Sequence, residues 1–577
     1  MAALIYALDN YTPTHFGENG HVEYGWSNSI QEKILQFSFQ VTRTNEKGLD
    51  FLSLILSDML MKLKCHIKNG TLPEKEVAKG YLSTLYRMIG HTRDIIDGKG
   101  EYALSYMMVH TWYEFFPQLA LFALRCFVDL NDNTIHQYGS WKDIKYFCEY
   151  CKSKGTNNNS ELILYSVDLI NAQIRNDYAN YLSNNDKLSL AAKWAPREKS
   201  SFSWLYEILA TRYFNKFIET AKNDEQKKKA ILKAKTEYRK VLSLLNRRID
   251  TVQVKQCEQT WSSIDFNKVT SVSLSRQKKA FLNVKKTGEV RYPSNYDRIA
   301  CATNFNKHIE RAVKGEVEMK GKRVSMADFT KQAISLIYCD SQAEKDLLNS
   351  QWRDNATQTG ALGKMIAMVD VSGSMDGDPM NVAIALGIRI AEKSVIGNRL
   401  MTFSAKPTWV NLEAHPDFIS KVGVVKRAEC GMNTNFHAAL DLILDAIVQN
   451  KMAPEDVQDM VLVILSDMQM DQGDNCNKDT LYNAMENKYA DAGIRVHGAP
   501  YKPPHILFWN LRSTSGFPSL ANQKNASMMS GFSPALLNLF CDQGLNALES
   551  CTPWSLLNKS LENDRYKIMD NMLQEIL

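Results

Sequence analysis

The chain has 577 residues, with 69 Lys and Arg against 64 Asp and Glu, a formal net charge of +5. Hydrophobic residues make up 44% and charged residues 23%, ordinary globular usage that excludes a mostly disordered chain. At roughly 150 residues per domain the length sets a prior of about four units, and so small a positive excess excludes a uniformly basic surface while leaving room for a local basic patch.

The 11 cysteines, odd in number and irregular in spacing, fit a reducing compartment better than a disulfide framework. The opening residues MAALIYALDN lack a basic n-region, so no signal peptide is expected. The longest apolar stretch, residues 119–130, is broken by Arg125 and Asp129 and is too short to span a bilayer. The expectation is a soluble, cytoplasmic chain with no membrane association.

In chain order, the first half reads as successive helices. Apolar residues recur every three or four positions in FLSLILSDMLMKL (51–63), and again at 102–108, 119–130, 161–174 and 203–218. Short polar connections separate them, such as Asn69-Gly70-Thr71-Leu72-Pro73 and the run from Gly155 to Ser160. Helical hairpins at intervals of roughly 40 residues are compatible with a HEAT-like solenoid. Residues 227–248 carry nine Lys and Arg and one Glu. There Ile231, Ala234, Tyr238, Val241 and Leu245 form an apolar stripe that leaves the charges on the other face, either a solvated surface or one that meets a polyanion. A second Lys-rich patch follows at 276–286, and 287–322 reads as a polar loop or inter-domain excursion.

After Gly360 the texture changes. Residues 364–369 (KMIAMV) read as a strand buried on both faces, and 399–404, 460–466 and 505–510 as further strands. Helical patterns at 380–394, 435–449 and 481–492 alternate with them, as in a parallel sheet with crossover helices. Near the end, Ser533 and Pro534 are an N-cap and first-turn pair that would start another helix.

Where the first of these strands ends, the sequence is Val369-Asp370-Val371-Ser372-Gly373-Ser374-Met375. Three oxygen side chains at alternate positions, at the carboxyl end of a parallel strand, surround the crevice where open α/β sheets bind ligands. Hard neutral oxygens with few carboxylates suit Mg²⁺ or another divalent cation better than Zn²⁺. Thr434, in a loop before a later helix, and Asp467, at the end of the strand MVLVILS, complete the set. This arrangement resembles the von Willebrand factor A domain with its metal-ion-dependent adhesion site. The resemblance implies that Ser372, Ser374 and Thr434 coordinate the ion directly. Asp370 and Asp467 would hold its waters, leaving one position for an acidic residue of a partner protein. No nucleophile is set beside a base, so the site reads as adhesive and the protein as a non-enzyme.

Other blocks resemble the domain-of-unknown-function 2828 family: residues 193–199 (KWAPREK), 238–240 and above all 245–271, with 508–512 and 530–533 near the C-terminus. That likeness runs from about residue 40 to the end of the sequence. A more distant one is carried by Arg93-Asp94, Gly98-Lys99-Gly100-Glu101 and Ser140-Trp141-Lys142-Asp143, which resemble the TROVE module of Ro ribonucleoproteins. That resemblance implies a ring of HEAT-like helices closed by a von Willebrand A domain, binding noncoding or single-stranded RNA. Arg93, Lys99, Lys142, Lys193, Arg197, Arg247 and Arg248 would then neutralise phosphates, with Trp141, Trp194 and Trp204 nearby to stack on bases or to anchor hairpins. Arg93 and Lys99 are equally suited to capping or pairing within a helical hairpin.

Cys148 and Cys151 form a lone CxxC, better read as two helix-borne thiols than as half a zinc site. His437 could line the rim of the metal loop, and the run from Gly360 to Lys364 is too short for a phosphate loop. The sequence thus predicts an α + α/β protein: an N-terminal extension (1–48), an α-helical TROVE-like repeat region (49–355) and a Rossmann-like von Willebrand A domain (356–577). The expected role is an RNA-binding scaffold with a metal-dependent adhesion site. The alternative is a protein-only adhesion scaffold. Asn and Lys are abundant relative to Arg, a hint of an AT-rich and viral genome, in which case the virion is the place to look.

Overall fold

Thr71 and Glu74 close a capping box, Thr71 N donating to Glu74 Oε2 at 2.7 Å, with Pro73 in the first turn. This local chemistry separates the helix Glu46–Asn69 from Leu72–Arg93 and makes them a hairpin. The computed structural model describes residues 11–17, 20–130, 134–403, 407–428, 436–458, 460–469, 481–514, 516–541 and 550–577. In the first helix Leu49, Leu52, Leu56, Met59, Leu60 and Leu63 form the buried stripe that the period of three and four predicts. Helices Tyr102–Phe115, Pro117–Cys126, Trp141–Ser153, Glu161–Leu182, Ser203–Tyr213 and Asp224–Ile249 follow. Two expected spans come out shorter. The helix beginning at Pro117 stops at Cys126 rather than continuing to Leu130, and the 203–218 pattern divides at Phe214 into Ser203–Tyr213 and Asn215–Glu219.

The polar excursion at 287–322 needs correction, because it contains the helix Tyr296–Val313. Its stripe of Cys301, Phe305, Ile309 and Ala312 is narrow and surrounded by charge, which hid the period. With Phe266, Leu274, Phe281 and Leu347 it builds a small separate core.

Following a short antiparallel hairpin, β1 (Thr14–Phe16) and β2 (Val22–Tyr24), the remaining six strands form one sheet. They are β3 (Met365–Asp370), β4 (Arg399–Phe403), β5 (Thr408–Asn411), β6 (Val461–Ser466), β7 (His505–Asn510) and β8 (Ala526–Ser530), in the order β5-β4-β3-β6-β7-β8. All neighbours are parallel except β4 and β5, so the expected parallel sheet carries an antiparallel edge. Alternate residues face opposite cores. Ile366, Met368, Leu462, Ile464, Ile506 and Phe508 belong to the hydrophobic cluster that also holds the N-terminal helices. Ala367, Val369, Val463, Leu465, Leu507 and Trp509 pack instead under the helices Asp378–Lys393 and Phe418–Arg427. Gly387 allows the first of these to approach, since a Cβ there would lie 2.4 Å from Val369.

The two halves are also stitched at their ends. From the helix Ile30–Gln40, Phe39 O accepts from Asn510 Nδ2 at 3.0 Å and Gln40 Oε1 from Thr514 N at 2.8 Å. Tyr24 and Phe517 exchange backbone hydrogen bonds of 2.9 Å. At the other end, the helices Pro553–Leu561 and Lys567–Ile576 return to pack on Leu72–Arg93. Ser533 caps a 3-10 turn, Pro534–Phe540, rather than an α-helix. Among the described residues no helix is long and apolar enough to cross a membrane.

Candidate functional site

Two of the seven cations that the sequence offers to RNA are buried and committed elsewhere. The Arg93 guanidinium forms a two-pronged pair with Asp143, Nε to Oδ1 at 2.8 Å and Nη2 to Oδ2 at 2.7 Å. Asp143 also accepts from Tyr106 OH at 2.6 Å and caps its own helix through Ser140 N at 2.7 Å, so its lone pairs are filled. Gly139 leaves room for this, since a Cβ there would sit 2.5 Å from Asp143 Oδ2. Lys99 lies between two glycines, one of which, Gly100, has φ +71. The turn drives its Nζ into the junction of the halves, donating to Ser38 O, Val41 O and Ser530 Oγ at 3.0, 2.9 and 2.7 Å. Burial there pulls the Lys99 ammonium down to about 7. Asp94 takes both prongs of Arg565 at 2.7 Å, and Glu101 pairs with Arg43 at 2.9 Å. The blocks at 93–94, 98–101 and 140–143 are therefore mostly an interlock, and Arg93 and Lys99 are buried.

Lys142 behaves differently. It follows the buried Trp141 and points outward, its Nζ 5.8 Å from the centre of the Trp194 ring, 5.1 Å from Tyr146 and 5.3 Å from Tyr102. Lys145, one helical turn on, lies 5.5 Å from Trp194, 4.9 Å from Tyr146 and 4.9 Å from Phe202. Lys193 is the third lysine around the same indole, at 5.8 Å. None of Lys142, Lys145, Lys193 or Arg197 has a carboxylate within 4 Å among the described residues. Burial holds Lys142 below the ordinary lysine range; the charge of Asp143 opposes this, and the cations Arg276 and Arg93 add to it. Burial, then Lys142 and Arg197, do the same to Lys145, and burial alone lowers Lys193.

Trp194 also lines a cleft of about 760 Å³ with Lys193, Arg197, Arg239, Arg247 and Cys257. The cleft's carboxylates are partly engaged: Glu198 holds Arg239 at 3.0 Å and Glu258 stands 4.0 Å from the exposed Arg247. Lys193, Arg197 and Arg247 thus converge in this cleft, Lys142 lies outside its lining and 5.8 Å from the centre of the Trp194 ring, and Arg248 turns to Asp186. Trp141 is core, and Trp204 is half-buried beneath Lys152, 4.4 Å from its ring. Lys145 escaped the sequence reading, although the three-residue step from Lys142 to Lys145 marks one helix face; Arg276 enters it only as the start of the basic patch 276–286.

The second constellation lies at the carboxyl ends of β3 and β6. These strands pair in parallel, Val369 beside Leu465, which brings Asp370 alongside Ser466 and Asp467. Asp370 Oδ1 accepts from Ser372 N at 2.9 Å and Oδ2 from Ser466 Oγ at 2.6 Å. The Ser372 and Ser374 hydroxyls are 3.1 Å apart. Asp467 Oδ1 accepts from Gln469 N at 3.2 Å, while the buried Oδ2 has no hydrogen-bond partner among the described residues. Burial, then the charge of Asp467, pushes Asp370 up to about 7. Burial raises Asp467 also. Arg512, after β7, donates to Ser374 O at the mouth.

Asp370, Ser372, Ser374 and Asp467 are brought together; Thr434 and the His437 side chain lie outside the described residues. Among the described residues no group of three His, Cys, Asp or Glu could hold a metal ion, so a cation in this crevice would depend on the hydroxyls as well as the two carboxylates. Cys148 and Cys151 are buried thiols, and burial lifts Cys148 to about 12.

Residues 149–365 match the family described as Domain of unknown function (DUF2828), and residues 364–572 match a second, Domain of unknown function (DUF7788). The blocks at 193–199, 238–240 and 245–271 lie within the first match, which is shorter than the likeness from residue 40 onward that they carry. Those at 508–512 and 530–533 lie in the second. An uncharacterized protein of Acanthamoeba polyphaga mimivirus is 27% identical over 562 residues, 95% of this chain and 87% of that relative.

Proposed function

We propose that the protein is a non-enzymatic binding scaffold that takes noncoding or single-stranded RNA at the basic, aromatic cleft around Trp194. The observation that carries this reading is three lysines around one indole with no carboxylate within 4 Å among the described residues. Gathering like charges costs free energy that a bound polyanion returns, and aromatic rings among the cations offer faces to unpaired bases. The resemblance to Ro-type ribonucleoproteins, with a HEAT-like helical part before a von Willebrand A-like part, points the same way. A ratio of ultraviolet absorbances that falls on nuclease treatment, followed by RNA binding at low and moderate salt, tests it. Protein that ignores RNA at low salt would refute it.

A second reading is favoured by the orphaned Asp467 Oδ2 and the strained carboxylate pair. In it the crevice holds Mg²⁺ or another divalent cation, with Ser372, Ser374 and, by resemblance, Thr434 as direct ligands and Asp370 and Asp467 binding through water. The ion would supply an open positive position for an acidic residue of a protein partner. RNA binding should survive EDTA and Ser372→Ala, whereas metal-dependent adhesion should be lost in both. The viral relative makes a virion component a version of this adhesive reading, and the cytoplasm the working location otherwise.

A further inference from the structure

Beyond the cleft, the surface keeps the same character. Lys142 and Lys145 share Tyr146 as well as Trp194. The ring of Phe202 stands edge-on to Tyr146 at 5.5 Å, and Tyr102 is about half exposed beside Lys142. Arg276, from the helix Ser271–Phe281, is near enough for its charge to act on Lys142, and is exposed and without an ion pair among the described residues. Arg276 lines a second cleft of about 390 Å³, together with Lys278, Lys279, Asp328 and Glu344. Glu344 is shared by Lys278 at 3.3 Å and Lys279 at 3.8 Å, so three cations face two carboxylates and the excess remains positive. Arg247 and Arg197 thus share one cleft, the charges of Arg197 and Lys142 act on Lys145 and that of Arg276 acts on Lys142, and four aromatic rings surround Lys142 and Lys145.

We infer that these cations form one continuous track for an extended single strand of RNA, entering at the Trp194 cleft, crossing Lys145 and Lys142, and ending at Arg276 and Lys279. The inference rests on the RNA reading above and extends it to the form of the ligand and to residues outside the first cleft. A duplex hides its base faces in its own stack and can use only the phosphate contacts. A single strand uses both the cations and the rings. A ligand held only in the Trp194 cleft would gain nothing from added length, whereas a strand on the track gains until it reaches Arg276.

The test is fluorescence anisotropy of labelled oligouridylates of about 5, 10 and 20 nucleotides, and of a blunt RNA duplex of the longest length, with the full chain at low salt. Affinity is expected to rise with length up to about ten nucleotides, and the duplex to bind at least about tenfold more weakly than the matching single strand. Arg276→Glu is expected to weaken the longest strand about tenfold and shorter strands progressively less, and Trp194→Leu to weaken all lengths. Arg276 is exposed, so its reversal leaves the thermal midpoint in place; Lys279→Glu should repeat its length-dependent loss. Binding that is sensitive to Lys142→Glu but indifferent to length and to both distal reversals would overturn the track while leaving the RNA reading intact. Equal affinity for the duplex would overturn the single-strand assignment. No binding of any oligomer by the wild-type chain would remove both readings.

Discussion

Arg93 meets its opposite charge in Asp143, and one residue away from that partner the chain does the reverse. Asp143 is filled by a guanidinium, a phenol and its own helix cap, and next to it Lys142 lies near three aromatic rings with no carboxylate within 4 Å among the described residues. The crevice at Asp370 mirrors the Trp194 cleft in the opposite sign, with two buried carboxylates near hydroxyls and one buried carboxylate oxygen without a hydrogen-bond partner among the described residues. Removing one partner of a buried pair is strongly destabilising, whereas like charges left together weaken the fold, a cost that the proposed ligands would offset.

This contrast predicts a large difference between adjacent positions. Asp143→Ala strands the buried Arg93 guanidinium and is expected to cost about 3–5 kcal/mol in chemical denaturation, while Lys142→Ala should stay within about 0.5 kcal/mol. A comparable loss at both positions would erase the distinction. For binding the order inverts. Lys142→Glu with Lys145→Glu should lower RNA affinity about 100-fold at low salt, and the slope of log affinity against log salt should shrink by about 1.4 as two phosphate contacts disappear. Asp143→Asn, if it folds, should leave that slope as it was.

The carboxylate crevice gives a smaller, pH-dependent effect. Folded Asp370 titrates at about 7, against about 3.9 in the unfolded chain, so between these values the folded state holds a proton that the unfolded state has released. Its contribution to stability therefore falls as pH rises from about 4 to about 7 and levels off above. Glu32, buried against Ala521 N and also raised to about 7, adds the same sign, whereas Lys99, lowered to about 7, works oppositely at higher pH. Thermal unfolding across about pH 5.5 to 8 should show a decline that Asp370→Asn flattens and that millimolar Mg²⁺ offsets only at the upper end. Asp467→Asn should raise the metal-free midpoint by a few degrees, through loss of repulsion, and abolish the Mg²⁺ effect.

Much of the architecture is legible in the sequence because burial on two faces leaves a plain signature. The runs ending at Asp370 and Ser466, and the stretch His505–Asn510, are uninterrupted apolar strands. The edge strand β5 and the Ser- and Met-containing β8 lack that signature, and the helix Tyr296–Val313 hides a thin apolar stripe among charges. In the crevice, alternation along one turn puts Asp370, Ser372 and Ser374 together, so spacing alone finds them. In the cleft it cannot. Lys193, Arg197 and Arg247 come from separate segments of the chain, and only packing tells them apart from Arg93 and Lys99, which look the same in a list of cations and lie buried.

The most direct measurement is the affinity of the purified full-length chain for a labelled single-stranded RNA, titrated from about 50 to about 200 mM salt, for the wild type and for Lys142→Glu with Lys145→Glu. The account predicts tight binding at low salt, a steep decline with salt, and a weaker and shallower dependence in the double variant. Binding that is absent at low salt, or that is unchanged by reversing both lysines, would contradict it.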